Sequence, residues 1–235
     1  MEAQVNELLT ELRMISSPEI KRKKDEKFGI KADTSWGVYQ KDLSQIAKRI
    51  GKNTELGIAL FDTGLYDARL LSAHLCKPAE VAENLLENWV SEFNTWEICD
   101  SFCMKLFKYN KHAVQKAFEW VEREKEYEKR AGFVLMATYG FADKQAPNSV
   151  FEAFFPKLES HANDNRIYVK KAVNWALRQI GKRNVDLRIK AIQCAERISK
   201  QGSVSAKWIA KDALRELNNK AVNVLDYPRN IYRLN

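Results

Sequence analysis

The run FNTWEICDSFCMKLF, residues 93–107, decides how the chain reads. Trp96, Cys99, Phe102, Cys103 and Phe107 recur at three- and four-residue steps, so the run is an amphipathic helix, and Asn94 and Thr95 are suited to cap it just before Trp96. Asp100 follows Trp96 by four residues and shares its helical face. A carboxylate in an otherwise apolar row is costly to bury unless something pairs with it or uses it. From this stretch alone Asp100 is either a partly solvated or Arg-paired helix residue, or an acid with a task.

The same 3.6-residue period runs outward in both directions. Only 9 Gly and 5 Pro interrupt 235 residues, and no short alternating run bounded by turn signals competes with it, so the class is all-α. Helices are expected near 2–15, 18–26, 36–51, 53–62, 66–76, 78–91, 95–108, 111–125, 127–140, 149–162, 165–181, 185–200 and 203–217, with Asn53 and Ser203 as caps and Pro78 at a first helical position. The longest internal loop, GFADKQAPNS at 140–149, is too short for a linker, so residues 1–235 are expected to form a single domain. The helices also repeat. A basic residue followed by small and apolar ones opens RLLSAHL at Arg69, RAGFVLMA at Arg130, KAVNWALR at Lys171 and KDALREL at Lys211. The last three are about forty residues apart, and the wider gap from Arg69 to Arg130 leaves room for one more pair, the one holding Trp96 and Asp100. That is the period of HEAT-like helical repeats, which stack into an α-solenoid with equivalent helices along one concave wall. The alternative is an irregular helical bundle.

Composition narrows the function. The 45% hydrophobic and 30% charged shares are those of a globular chain. There is no 18-residue apolar run and no signal-peptide pattern, so a cytoplasmic protein with no membrane partner is expected. Cys76, Cys99, Cys103 and Cys194 lie in apolar helical patterns without paired spacing and read as reduced core residues, not as metal ligands. Charge is uneven: residues 161–235 hold 16 Lys and Arg against 6 Asp and Glu, a net +10, leaving −2 for residues 1–160 of the chain's +8. A basic segment of this kind is either a solvated face or the footprint of a polyanion. Nucleic acid is preferred to an anionic membrane because the basic residues recur at helical intervals with no large free apolar face. Arg166, Lys170, Lys171, Arg178, Lys182 and Arg183 are the candidate DNA contacts. No G-x-S-x-G, P-loop, H-E-x-x-H or G-x-G-x-x-G occurs, and His74, His112 and His161 are far apart. Trp36, Trp89, Trp120 and Trp208 fit apolar faces and read as core, and the run EREKEYEKR at 122–130 reads as a solvated helix face.

Taken in order, FGIK at 28–31, IAKRIGK at 46–52, LFDTGLYDARLLSAHL at 60–75, TWEICDSF at 95–102, YEKRAGFVLM at 127–136 and VKKAVNWALRQIGKRN at 169–184 resemble the DNA alkylation repair family of AlkD-type glycosylases, over roughly Phe28 to Leu217. The resemblance implies a HEAT-like solenoid whose concave basic groove grips duplex DNA. Its Trp-x-x-x-Asp pair falls on Trp96 and Asp100, its basic residue in the following repeat on Arg130, and its second tryptophan on Trp175. Members often carry a tryptophan doublet where this chain has Thr95-Trp96, and the family's N-terminal aromatic has no clear counterpart before Phe28.

The chemistry follows from the lesion. N3- or N7-alkylation makes a purine a cationic leaving group that needs no protonation, and breaking its glycosidic bond builds positive charge on the sugar, as in glycoside hydrolysis. One fixed carboxylate, Asp100, suffices to oppose that charge and to orient a water, while the faces of Trp96 and Trp175 attract the cation. Arg130 reads as a partner of a phosphate or of Asp100. No metal or organic cofactor is called for, the partner is duplex DNA with alkylated bases, and a monomer is expected. Trp96, Asp100, Arg130 and Trp175 are expected to converge in one cleft. The alternatives are a non-catalytic HEAT-repeat protein that binds damaged, bent or branched DNA, and a HEAT scaffold for a protein partner.

Overall fold

The computed structural model describes residues 1–219, and among them every regular element is helical. The part of the basic third beyond residue 219 lies outside the described residues. None of the described helices is long and apolar enough to cross a membrane. Two compact units divide after Lys111. The first holds α1 (Glu2–Met14), α2 (Pro18–Phe28), α3 (Gln40–Ile50), α4 (Thr54–Asp62), α5 (Tyr66–Leu75), α6 (Glu83–Ser91) and α7 (Trp96–Lys105). The second holds α8 (Ala113–Trp120), α9 (Glu126–Ala142), α10 (Asn148–Glu152), α11 (Phe155–Ser160), α12 (Ile167–Gly181), α13 (Val185–Ser199) and α14 (Val204–Leu217).

Local chemistry sets these limits. Asn53, Asn184 and Ser203 each accept a backbone N–H three residues on, at 3.0, 2.9 and 3.0 Å, and so start α4, α13 and α14. Several expected helices are shorter than their periodicity implied, and the one expected over 111–125 runs only from Ala113 to Trp120. The one expected over 36–51 begins only at Gln40, because the Asp67 carboxylate takes the Trp36 and Val38 N–H groups out of the helical pattern, at 2.6 and 3.1 Å. The one expected over 78–91 opens as a single 3-10 turn at Pro78–Glu80 before α6 begins at Glu83. The one expected over 149–162 is two helices, since Pro156, in the first turn of α11, has no N–H to donate back. The acidic run at 122–130 is likewise not one helix face: it crosses the turn between α8 and α9, and Glu128 is buried against Arg123 and Lys125.

In the second unit the repeat is written in the contacts. Arg130 and Tyr168, Asn174 and Asp212, and Arg197 and Glu159 are all joined 38 residues apart, Ser205 and Asp164 41 apart, and Gln201 and Glu159 42 apart. Partner numbers rise together from α12 to α14, Asn174 to Asp212 and then Arg178 to Glu216, so these helices run parallel one repeat apart. α12 shows why the helices stack: Val169, Ala172, Val173, Ala176, Leu177 and Ile180 are buried at helical spacing, a stripe that no single pair covers. In the first unit the step is nearer thirty, 29 from Tyr66 to Thr95 and 31 from Tyr66 to Glu97. Its core is an aromatic cluster of Phe61, Trp89 and Phe102, with ring centroids 5.2–5.4 Å apart, continued by Phe93 and Phe107. All four cysteines are buried, as expected of core residues. Trp89 and Trp120 are core, but Trp36 is only half-buried. Trp208 is 39% exposed, because it serves as a platform for the ammonium of Lys170, 5.1 Å from its ring.

One glycine in the second unit is fixed by close approach. A Cβ on Gly132 would lie 2.7 Å from the Val121 nitrogen and 2.9 Å from the Ala117 carbonyl oxygen, so α9 passes α8 with no room for a methyl group. A mid-helix Gly→Ala change ordinarily stabilises by about 1 kcal/mol. Here Gly132→Ala is expected to lower the unfolding free energy by about 1–3 kcal/mol instead, as overpacking does, measured by urea denaturation. A raised midpoint would contradict the close crossing.

Candidate functional site

Trp96 and Asp100 belong to the first unit, Arg130 and Trp175 to the second. Trp96 is the first residue of α7, whose start is set by Thr95: its hydroxyl accepts the Ile98 N–H at 3.3 Å. The indole Nε1 donates to the Phe28 carbonyl at 2.9 Å. That carbonyl ends α2, where helical acceptors have no partner of their own, so the bond satisfies an orphan group and fixes the plane of the ring. Asp100 is half-buried one turn later, on the face that carries Trp96 and beside the buried stripe of Cys99, Phe102 and Cys103.

A cleft of about 260 Å³ opens against Trp96, lined by Phe28 and Tyr39 and by Lys23, Lys24 and Glu97. Phe28 is 47% and Tyr39 53% exposed. Three aromatic rings from α2, the 29–39 segment and α7 thus border one opening in the first unit. Sequence reasoning passed over Tyr39, which it placed inside a helix, and over Phe28, which it used only as the start of a motif.

Beneath the cleft lies a buried polar network that the sequence did not announce. Glu97 accepts from the Tyr66 hydroxyl at 2.8 Å and from the Gln40 amide at 3.1 Å, and pairs with the Lys24 ammonium at 3.0 Å. Lys24 also lies 3.9 Å from Asp67, which holds the 35–38 segment through Ser35 Oγ and the Trp36 and Val38 amides. Burial, together with the charge of Glu97, pushes the Tyr66 phenol far above its usual range, so it stays a donor. The network ties α2, α5 and the 35–38 segment to the first turn of α7.

In the second unit Arg130 is buried, and its Nη1 donates to the Tyr168 carbonyl at 2.6 Å, level with the first turn of α12. Trp175 is half-buried two turns further along that helix. The six basic candidates fare differently. Arg183 is buried and donates to the carbonyls of Gly140, Lys144 and Ala146, at 3.3, 2.9 and 2.9 Å, so it holds the loop that follows α9. Arg178 and Lys182 pair with Glu216, and burial, which would raise the Glu216 pKa, is outweighed by these two cations, which hold it low. Arg166 grips Asp164 through Nε and Nη2 and reaches the Glu124 carbonyl as well. Lys170 and the exposed Lys171 have no acidic partner among the described residues. Arg178 and Lys182 are thus answered by an acid 38 and 34 residues further on, and Arg166 by one two residues before it, pairings that a linear count of charge does not reveal.

With this geometry in hand, comparison with known proteins is informative. A family model described as DNA alkylation repair enzyme matches residues 8–217. A solved structure aligns with a TM-score of 0.71 at 19% identity, over 89% of this chain and 94% of that one. It is described as a new family of proteins related to the HEAT-like repeat DNA glycosylases with affinity for branched DNA structures. At that identity it establishes the HEAT-like helical-repeat fold expected from the forty-residue period. No match was found among curated proteins.

Proposed function

The chain belongs to the DNA alkylation repair enzyme family, and from that premise we propose that it is a DNA glycosylase, acting as a monomer, that releases cationic N3- or N7-alkylated purines from duplex DNA for base excision repair. The observation that carries this reading is the pairing of Trp96 and Asp100 on one face of α7, with the indole plane fixed by Phe28 and the helix start pinned through Glu97. Asp100 opposes the positive charge that builds on the deoxyribose as the bond to the purine breaks, and orients the water that attacks it. Trp96 presents a fixed aromatic face to the cationic nucleotide. From the second unit, Trp175 offers a further aromatic face, and Lys170 and Lys171 offer phosphate contacts. Arg130, held on the Tyr168 carbonyl, positions the amino end of α12.

A second reading, a protein that binds branched DNA without cleaving it, is favoured by one observation: the affinity for branched DNA ascribed to the protein that shares its fold. The deciding experiment is incubation of the protein with duplex carrying a single 7-methylguanine or 3-methyladenine, followed by alkaline scission of abasic sites. Strand breaks at the lesion are expected. Binding to a four-way junction in preference to linear duplex, without base release, would favour the second reading instead. Trp175→Ala is expected to weaken lesion binding and base release together, by about 0.5–2 kcal/mol each, because its face meets a cation already present in the ground state.

A further inference from the structure

The buried stripe of α14 is Ser205, Ala206, Ile209, Ala210, Ala213 and Leu217, at helical spacing, and Trp208 is not part of it. Its indole is 39% exposed on the solvent face of the helix, which it shares with the exposed Lys207 and Lys211. Packing alone therefore does not call for a tryptophan there. Whereas the Trp96 indole donates to the Phe28 carbonyl, the N–H of Trp208 has no acceptor among the described residues. Alongside, α12 runs parallel and one repeat earlier, and it sets the Lys170 ammonium 5.1 Å from the centre of the Trp208 ring. Lys171, next in the chain, lies one turn before Trp175 on the same face.

The acids of α14 are taken elsewhere. Asp212 answers Asn174, Arg178 and Arg215, and Glu216 answers Arg178 and Lys182. Among the described residues no carboxylate pairs with Lys170, Lys171, Lys207 or Lys211. An ammonium resting on an indole face is held in place without being neutralised, so its charge stays available to a partner. The four cations also do not converge on one point. Lys207 and Lys211 are a helical turn apart, about 6 Å along the axis, and Lys170 and Lys171 belong to the neighbouring helix. Charges strung out in this way match a polyanion, whose own charges lie in series, better than a single small anion.

We infer that Trp208 anchors a contact with the DNA backbone: its indole N–H donates to a phosphate and its face holds the Lys170 ammonium against the same strand, while Lys207 and Lys211 extend the contact along α14. The inference rests on the DNA-binding part of the proposed function and brings in α14, which that reading leaves idle. Trp208 is both a contact and the positioning residue for Lys170. A tryptophan suits this double part because one ring carries a donor at its edge and an electron-rich face for a cation. The lysines act as point charges, which is enough for a phosphate whose place is already set by the duplex.

Duplex affinity of the full chain, followed by fluorescence anisotropy between about 50 and 200 mM salt, tests it. Lys211→Gln is expected to reduce the slope of log K against log salt by about 0.9, one phosphate contact, and Lys211→Arg to keep it. Trp208→Ala is expected to weaken binding about three- to tenfold at fixed salt, the scale of one hydrogen bond. Trp208→Phe keeps a ring under Lys170 but loses the N–H, so it should bind at an intermediate level. A double-mutant cycle isolates the positioning: Trp208→Ala should cost about two- to fivefold less in a Lys170→Gln background than in wild type. Equal losses in the two backgrounds would overturn the positioning of Lys170. Loss of binding that tracks a lowered melting temperature would make Trp208 structural and overturn its role. Unchanged affinity of Trp208→Ala with an unchanged slope of Lys211→Gln would overturn the whole contact and leave the proposed function standing. Sodium phosphate that competes better than chloride at equal ionic strength would make this a small-anion site and overturn the assignment to the backbone. Failure of the wild type to bind DNA at all would overturn both readings.

Discussion

Asp100→Asn is expected to slow release of 7-methylguanine by about 10²-fold or more, on the order of 3 kcal/mol, while leaving duplex affinity nearly unchanged. The two effects separate because the carboxylate acts on charge that develops only as the glycosidic bond breaks. In the ground state the sugar is neutral, and the nearby phosphates gain slightly from losing a negative neighbour. The amide is close in size to the acid, so α7 and its buried stripe of Cys99, Phe102 and Cys103 are undisturbed. Single-turnover base release, with binding measured in parallel, checks both halves. A variant that binds and cleaves like wild type would remove Asp100 from the chemistry. A variant that loses binding and cleavage together would mean that the carboxylate is structural.

How much of this was visible beforehand depends on the range over which each signal acts. The 3.6-residue period is local, so it located nearly every helix, and the forty-residue spacing of Arg130, Lys171 and Lys211 located the repeat, whose contacts recur at separations of 38 to 42. Trp96 and Asp100 were legible because four-residue spacing on a helix is itself geometry. Where periodicity misled, a side chain distant in sequence had intervened. Residues 36–39 look helical, but Asp67, about thirty positions away, captures their amides. Arg178 and Lys182 looked like bare surface cations because the acids that answer them, Asp212 and Glu216, lie about a repeat further on. Arg183 reads as a surface cation and instead fastens the loop after α9. Phe28 and Tyr39 carried no signal, since exposed aromatics at the end of one helix and just before another gain meaning only when the fold sets both against Trp96.

Asp67→Ala is expected to cost about 3–5 kcal/mol of stability, the scale for removing one partner from a buried ionic network. Asp67 is fully buried, and its two oxygens accept from the Trp36 amide at 2.6 Å, the Val38 amide at 3.1 Å and the Ser35 hydroxyl at 3.2 Å, with Lys24 at 3.9 Å. An alanine leaves three donors without an acceptor, and each buried orphan costs about 1–3 kcal/mol where water cannot enter. Gly37, between those two amides, is at φ +80°, where a side chain would be strained. A Cβ there would also meet the Ser17 carbonyl at 2.2 Å, so the segment has little freedom to find other partners. Asp67→Asn should cost less, because one carbonyl oxygen still serves one side of the set while the amide group faces a donor. The comparison is made by urea unfolding at constant slope, and an unchanged midpoint for Asp67→Ala would mean that the network contributes nothing. A functional consequence follows from Lys24, which bridges Asp67 to Glu97 in the first turn of α7. Loosening the 35–38 segment frees Lys24 and Gln40 together, and with them the start of the helix that aims Trp96 and Asp100. Base release by Asp67→Ala should therefore fall even at temperatures where the protein remains folded.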